Sequence, residues 1–543
     1  MTGTELIAEI LKSEGIEMVT CFPSNALIES AAKKGIRPVM FRHERGAVMA
    51  ADGFSRVNNR KKFGVALVQY AAGAENSVGA LAQAFSDNVP ILVLPGGYPI
   101  ERKNVRPNFS AAENYKNIVK SVETIYTTSQ ISDIMRRAFH ALKNGPPGPV
   151  VVEMSIDICE KEVPIDATSY HSPVSSTTVP TLNNIKDAVK LLLNAKNPLI
   201  WAGAGVLSSN GSNELKELAE LIEVPVFTTM EGKSAIDERH HLALGAGSGA
   251  TTWPAHKWIT ESDMILAIGT SLSINSYTQE IPKGKTVVHN TISSHDINKD
   301  TPSELALIGD SKLTMAALID EIKGEIGEKG KKTNISKKIA EEKDKWIREW
   351  MPLLTSKEKP LNTYRVINDI NNTLDREKSI VTHDAGAPRD SIVPFFTATT
   401  PHSYIGWGKT THLGFGIPLS IGAKLASPEK FCLNLMGDGA FGMSGTDVET
   451  AGRVSAPITT VLLNNKGMAT YPGGFPTAKE EYGLSMMVGD YAMIAEGMGA
   501  KGIRVENPSE LKFALEKAMK HNSNGESVLI DVHSNMESKK SRF

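Results

Sequence analysis

Two residues suited to holding a hard metal ion stand at the ends of two apolar runs. Residues 431–436 read as a buried strand and run straight into Gly437-Asp438-Gly439. Residues 458–463 read as a second strand and end at Asn464-Asn465. In an open parallel sheet, ligands sit beyond the carboxyl ends of the strands. Asp438 and Asn465 are 27 residues apart, with a helical stretch at 445–454 between the strands. That arrangement brings a carboxylate and an amide oxygen to one edge. Magnesium takes oxygen ligands in near-octahedral geometry, usually one or two carboxylates together with phosphates. The flanking glycines let backbone approach an anion closely, and a helix N-terminus favours phosphate. The tripeptide alone is usually only a turn, so the paired strand ends carry the inference.

With this spacing the segment resembles the thiamine diphosphate enzymes, whose fingerprint is G-D-G followed some two dozen residues later by N-N. The resemblance implies that Asp438, Asn465 and the main-chain carbonyl of Gly467 bind magnesium, which bridges to the cofactor diphosphate. It also implies cofactor contacts at Gly437, Gly439, Ala440, Asn465 and Met468. A second segment, Arg42-His-Glu-Arg-Gly-Ala47 with Ala51-Asp-Gly-Phe-Ser-Arg56, looks like the family's R-H-E-x-x-A and A-D-G-Y-A-R. Glu44 falls where the family's glutamate hydrogen-bonds the cofactor's aminopyrimidine and favours its imino tautomer. A carboxyl in a dry site beside an aromatic ring can stay neutral and donate a hydrogen bond near neutral pH.

A third segment, Trp407 to Ala423, looks like the family's G-x-x-G-x-M-G-F-G-L-P-A-A-I-G-A. Leu413 falls where the family places a bulky apolar residue under the cofactor. Gly386 matches a diphosphate-side G-x-H loop, but Pro388 replaces the histidine. Ala71-Ala-Gly-Ala-Glu-Asn76 keeps Gly73 and Asn76 of the family's G-P-G-A-x-N and loses its first glycine and its proline. Asn465-Lys-Gly-Met-Ala-Thr-Tyr471 is shorter than the corresponding synthase loop. His43, His383 and His412 lie in matched loops, where substrate contact and a plain structural role are equally open.

The surrounding sequence supplies elements to carry these residues. Helical apolar spacing is expected at 4–14, 47–55, 74–85, 131–142 and 185–193. Short apolar runs at 18–21, 63–69, 91–94 and 150–154 read as strands, as do 198–202, 224–228, 264–268, 286–288, 380–382 and 527–532. Strands alternating with helices indicate parallel sheets covered on both faces. The expected fold is α/β with three doubly wound parallel-sheet domains. They span 1–160 (pyrimidine-binding), 183–323 (central) and 360–543 (diphosphate-binding). The Pro- and Ser/Thr-rich stretch at 160–182 reads as a linker. The Lys/Glu-dense stretch at 323–350 reads as a solvated helix or hinge.

Composition narrows the partners. The formal net charge of −2 over 543 residues leaves no basic field for nucleic acid or an anionic membrane. Cys21, Cys159 and Cys432 are few and scattered, which suits reduced thiols in a cytoplasmic protein. Residues 1–9 show no secretory signal pattern, and no apolar run is long enough to span a bilayer.

The resemblance covers nearly the whole chain and points to the acetolactate synthase-like branch. It implies decarboxylation of a 2-oxo acid with carboligation. It also implies a homodimer or homotetramer in which Glu44 and Asp438 of different subunits share a site. A related 2-oxo acid decarboxylase or 2-hydroxyacyl thioester lyase is the alternative within the family. An FAD-linked oxidase is another, although Gly269-Thr-Ser-Leu-Ser273 lacks the arginine of the synthase pattern G-x-R-x-D-D-R. Trp201-Ala-Gly-Ala-Gly-Val206 lacks the full dinucleotide motif.

Overall fold

The computed structural model describes residues 1–468 and 473–543. Ala469, Thr470 and Tyr471 of the shortened loop therefore lie outside the described residues. The chain divides into two compact units. One comprises residues 1–176, 410–429 and 444–458; the other comprises 177–409, 430–443 and 459–543.

The first unit is built on a six-stranded sheet of β1 (Met18–Cys21), β2 (Arg37–Met40), β3 (Gly64–Val68), β4 (Ile91–Gly97), β5 (Ser121–Ile125) and β6 (Val150–Ser155). The strand order is β2-β1-β3-β4-β6-β5, and every pairing is parallel. One face packs Val19, Leu67, Leu92 and Val152 against Leu6, Leu11, Ile131 and Met135 of the flanking helices. The other face receives helix Glu44–Val57, whose Ala47 carbonyl accepts from the buried Thr20 hydroxyl at 2.7 Å. Helices on both faces bury the inner strands β1, β3, β4 and β6, which is why their sequences read as apolar runs.

The second unit holds two sheets. The first is formed by β7 (Pro198–Ala202), β8 (Val226–Thr229), β9 (Ala243–Gly247), β10 (Met264–Ile268), β11 (Thr286–Thr291) and β12 (Leu305–Ile308). Its order, β12-β11-β10-β7-β8-β9, is the doubly wound order of dinucleotide-binding folds. That order alone assigns no ligand. The second sheet is formed by β13 (Ser379–His383), β14 (Tyr404–Ile405), β15 (Phe431–Gly437), β16 (Thr459–Asn464), β17 (Lys501–Val505) and β18 (Val528–His533). Its order, β14-β13-β15-β16-β18-β17, repeats that of the first unit strand for strand. In both, the chain reverses direction across the sheet beside its first strand, and ligand sites form at such switch points.

The Lys/Glu-rich stretch departs from expectation. It contains helix Ile335–Leu354, but Ile339, Trp346, Trp350 and Leu354 form a buried stripe along it. Trp346 stacks on Phe395 with ring centroids 4.8 Å apart. The charges lie on the remaining faces, so the element is amphipathic rather than a solvated hinge. Among the described residues, no helix is long and apolar enough to cross a membrane.

Candidate active site

In the first unit, Glu44 opens helix Glu44–Val57. His43 caps the helix in an extended conformation, its Nδ1 accepting from the Arg45 N–H at 3.1 Å. Glu44 is only 3% exposed, and its Oε2 accepts from Asn76 Nδ2 at 3.1 Å. Asn76 belongs to helix Ala72–Ser86, which follows β3. A Cβ on Gly73 would stand 2.9 Å from Glu44 Oε1, so glycine leaves the carboxyl its room. Ala71, where the family pattern has its first glycine, still takes a glycine-type backbone with φ +49° and ψ −102°.

Leu413 stands in the same unit, in the loop before helix Gly416–Ala426, and is partly exposed. That loop is tied to the helix carrying Asn76: the Thr410 hydroxyl donates to Gln83 Oε1 at 2.6 Å. His412 lies against the same helix, its Nε2 2.1 Å from where a Cβ on Gly79 would stand. Burial lowers the His412 pKa, with the Arg45 charge acting the same way. A neutral structural imidazole is therefore the role its surroundings favour.

In the second unit, Asp438 follows β15 directly and begins helix Asp438–Ser444. Asp438 is 2% exposed. Its Oδ1 accepts from the Gly439 N–H at 2.8 Å, while its Oδ2 is buried with no hydrogen-bond partner among the described residues. Burial raises its pKa, and the N–H groups of Gly439, Gly467 and Lys466 pull the other way.

The neighbouring loops converge on it. Gly437 pairs with Leu463, which sets Asp438 beside the end of β16 and the two asparagines. Asn465 Oδ1 accepts from the Gly467 N–H at 3.0 Å, and Asn464 Nδ2 donates to Asp531 Oδ1 at 2.9 Å. Met468 Cε lies 2.8 Å from where a Cβ on Gly439 would stand, and Ala440 is buried. Gly386, with φ +86°, caps helix Ala387–Phe395 at the end of the loop after β13. Pro388 falls in the first turn of that helix, where its missing N–H costs nothing. Pro388 Cγ is 4.0 Å from the Cβ position of Gly437, so the Gly386 loop and the G-D-G loop are neighbours.

The residues expected on the diphosphate side, Gly386, Gly437, Asp438, Gly439, Ala440, Asn465, Gly467 and Met468, thus fall in one unit. Glu44, Asn76 and Leu413 fall in the other. A buried ionised carboxylate with a bare oxygen is costly unless a charge offsets it. A divalent cation at Asp438 Oδ2 meets that need, with amide and carbonyl oxygens completing a hard donor set. Among the described residues, no group of three or more His, Cys, Asp or Glu side chains is placed to hold a metal. A site built on one carboxylate suits magnesium shared with phosphate oxygens.

Sequence reasoning missed two buried charges near these loops. Arg389 is 2% exposed, pairs with Asp390 at 2.8 Å and lies 4.4 Å over the Tyr277 ring. Asp447, also 2% exposed, accepts from the Arg42 N–H at 3.1 Å. Neither carries a local motif; only the fold supplies their partners.

Three family models match the chain in order. They are the N-terminal TPP binding domain of thiamine pyrophosphate enzymes at residues 1–119, the central domain at 185–318, and the C-terminal TPP binding domain at 384–532. The chain is 30% identical to a protein named a probable acetolactate synthase large subunit of Methanococcus aeolicus, over 96% of this chain and 90% of that one. It is 29% identical to the similarly named protein of Methanocaldococcus jannaschii, over 98% and 92%. It is 27% identical to the acetolactate synthase isozyme 3 large subunit of Escherichia coli, over 98% and 94%. With matching TPP binding domains at both ends and relatives of one kind along its whole length, the chain belongs to the thiamine pyrophosphate enzymes, as an acetolactate synthase-like member.

Proposed function

We propose that this enzyme decarboxylates a 2-oxo acid and joins the remaining acyl carbon to a second carbonyl compound. The observation that carries the reading is a pair of buried carboxylates in the two cofactor-binding regions. Glu44 is held by Asn76, and Asp438 keeps a bare oxygen beside Asn465. When bound, thiamine diphosphate supplies the carbanion that adds to the 2-oxo carbonyl and takes up the electron pair released with carbon dioxide.

The protein's own residues do the rest. Asp438, Asn465 and the Gly467 carbonyl hold magnesium. Gly386, Gly437, Gly439, Ala440 and Met468 line the diphosphate side. Glu44 donates a proton to the aminopyrimidine and takes it back, while Asn76 fixes its carboxyl. Leu413 would pack against the bound cofactor. Withdrawal from water strengthens each of these charge interactions.

We take pyruvate as donor and acceptor, and the relatives' names, acetolactate synthase large subunit, support assembly of this chain as a large subunit. We assign the active site to two subunits of a homo-oligomer, Glu44 from one and Asp438 from another. Product analysis tests the reaction: pyruvate with cofactor and magnesium should give carbon dioxide and acetolactate. Acetaldehyde and carbon dioxide with no acetolactate would overturn the carboligation reading. Mixing Glu44→Gln and Asp438→Ala proteins tests the assembly, because one hybrid interface carries two intact halves. Exchange of subunits without regained activity would count against a shared site.

A further inference from the structure

Glu44 sits at the mouth of a helix, and something must hold the turn that precedes it. Helix Asp447–Arg453, with its C-cap Val454, belongs to the same unit and holds both this turn and the strand β2 that leads into it. The Arg42 N–H donates to Asp447 Oδ1 at 3.1 Å. Arg453 Nη2 donates to the Met40 carbonyl at 2.8 Å, and Arg37 Nη2 donates to the Val454 carbonyl at 2.5 Å. The Arg453 contact is exposed and the Arg37 contact part-buried, whereas Asp447 is buried. Its Oδ1 also accepts from the Thr450 hydroxyl at 2.9 Å. Its Oδ2 lies 2.5 Å from where a Cβ on Gly46 would stand. The carboxylate is therefore wedged between the turn at Arg42 and the first turn of the helix that Glu44 begins. By contrast, the Arg42–Glu449 ion pair beside it is long, at 3.8 Å, and its arginine is half exposed. Such a pair fixes little.

Backbone N–H groups at a helix start have no partner within the helix. His43 Nδ1 serves the Arg45 N–H, and Asp447 serves the Arg42 N–H, one on each side of Glu44. The Asp447 contact comes from a segment more than 400 residues away in sequence. It reports on how the fold presents Glu44, not on local helix capping. We infer that Asp447 is a positioning residue, which fixes the turn at residues 42–46 and so sets where the Glu44 carboxyl stands. This rests on the reading of Glu44 as the residue that activates the bound cofactor.

The first measurement uses the protein without added cofactor. Amide hydrogen exchange of peptides covering residues 40–46 should quicken in Asp447→Ala and stay near wild type in Asp447→Asn, which keeps an acceptor oxygen. The second uses protein saturated with thiamine diphosphate and magnesium. Proton–deuterium exchange at the cofactor's thiazolium carbon should slow about 10- to 100-fold in Asp447→Ala, the usual loss for a displacement of about 1 Å. Asp447→Asn should lie within about threefold of wild type. In the double variant Glu44→Gln/Asp447→Ala, the rate should match Glu44→Gln alone, because Asp447 acts only through Glu44. If Asp447→Ala exchanges at the wild-type rate while Glu44→Gln is slow, the positioning role is wrong and the Glu44 reading survives. If Glu44→Gln itself exchanges at the wild-type rate, the Glu44 reading fails. Additive losses in the double variant would overturn action through Glu44.

Discussion

Glu44 and Asp438 are buried to almost the same degree, 3% and 2% exposed, yet their surroundings differ in kind. Glu44 has an amide partner in Asn76 and a gap cut for it at Gly73. Asp438 uses one oxygen on the N–H of the next residue, and the other has no hydrogen-bond partner among the described residues, with the Gly467 and Lys466 N–H groups close enough to favour its charged form. The Glu44 carboxyl is thus held by protein atoms alone. The Asp438 carboxyl has no charged partner among the described residues, which suits it to a cation. The same side-chain chemistry thus meets different surroundings in the two regions, and the proposed roles, proton exchange for Glu44 and metal binding for Asp438, follow from that difference.

That contrast can be broken most sharply at Glu44. Gln has nearly the same shape and keeps a partner for Asn76, so cofactor affinity should stay within about threefold. Exchange at the thiazolium carbon should nevertheless fall by about 10²–10⁴-fold, the usual worth of acid–base assistance. Isotope exchange followed by NMR, with calorimetry for affinity, checks both halves. Asp438→Ala should show the opposite pattern: cofactor affinity in magnesium should fall by about 10²-fold or more. Chelation should lower the melting temperature of the cofactor-loaded wild type and leave the variant unmoved. A variant that still responds to magnesium would place the cation elsewhere.

A smaller effect concerns Asp447. Burial pushes its carboxyl up to about 6, against the pull of the Arg42 N–H, the Thr450 hydroxyl and Arg45. A raised folded pKa means the neutral form is favoured in the fold. The stability this contributes is fully present below about pH 4 and is lost as pH rises toward 6. Asp447→Asn removes the titration. Its stability relative to wild type should therefore improve by about 2 kcal/mol between pH 4 and pH 7. Denaturant unfolding across that range tests this, and a flat difference would show that the group does not titrate there.

The smallest effect is at Ala71. Its φ of +49° is a left-handed value that an L side chain takes only at a cost of about 1–2 kcal/mol. Ala71→Gly should relieve that strain, less what glycine loses in chain entropy, for a net gain of about 0.5–1 kcal/mol. A drop in thermal stability would mean the alanine methyl makes contacts worth more than the strain. Thr411, with φ +51°, replaces the second glycine of the G-x-x-G pattern and offers the same test in the loop before Leu413.

What was legible in the sequence follows a physical boundary. Every strand expected from apolar runs lies inside a sheet: β1, β3, β4 and β6; β7, β8, β10 and β11; β13, β15, β16 and β18. The strands that went unread, β2, β5, β9, β12, β14 and β17, are the six sheet edges. An inner strand of a parallel sheet is covered by helices and by strands on both sides, so its composition alone marks it. An edge strand such as Lys501–Val505 is half solvated, and its sequence resembles a loop. Helix Ile335–Leu354 was misread for a related reason, since four buried positions were hidden among many charges.

The catalytic candidates divide in the same way. Glu44, Asn76, Asp438 and Asn465 stood out because they fall in segments that resemble the family's motifs, each beside a strand end or a helix start. The motif names the residue, and the apolar run or helical spacing beside it names the element that presents it. Asp447 and Arg389 were not legible, because their meaning lies in partners that only folding brings near. The bare oxygen of Asp438 was decided by tertiary structure too. The sequence names the aspartate, but burial by surrounding loops is what withdraws it from water and gives it a use for a cation.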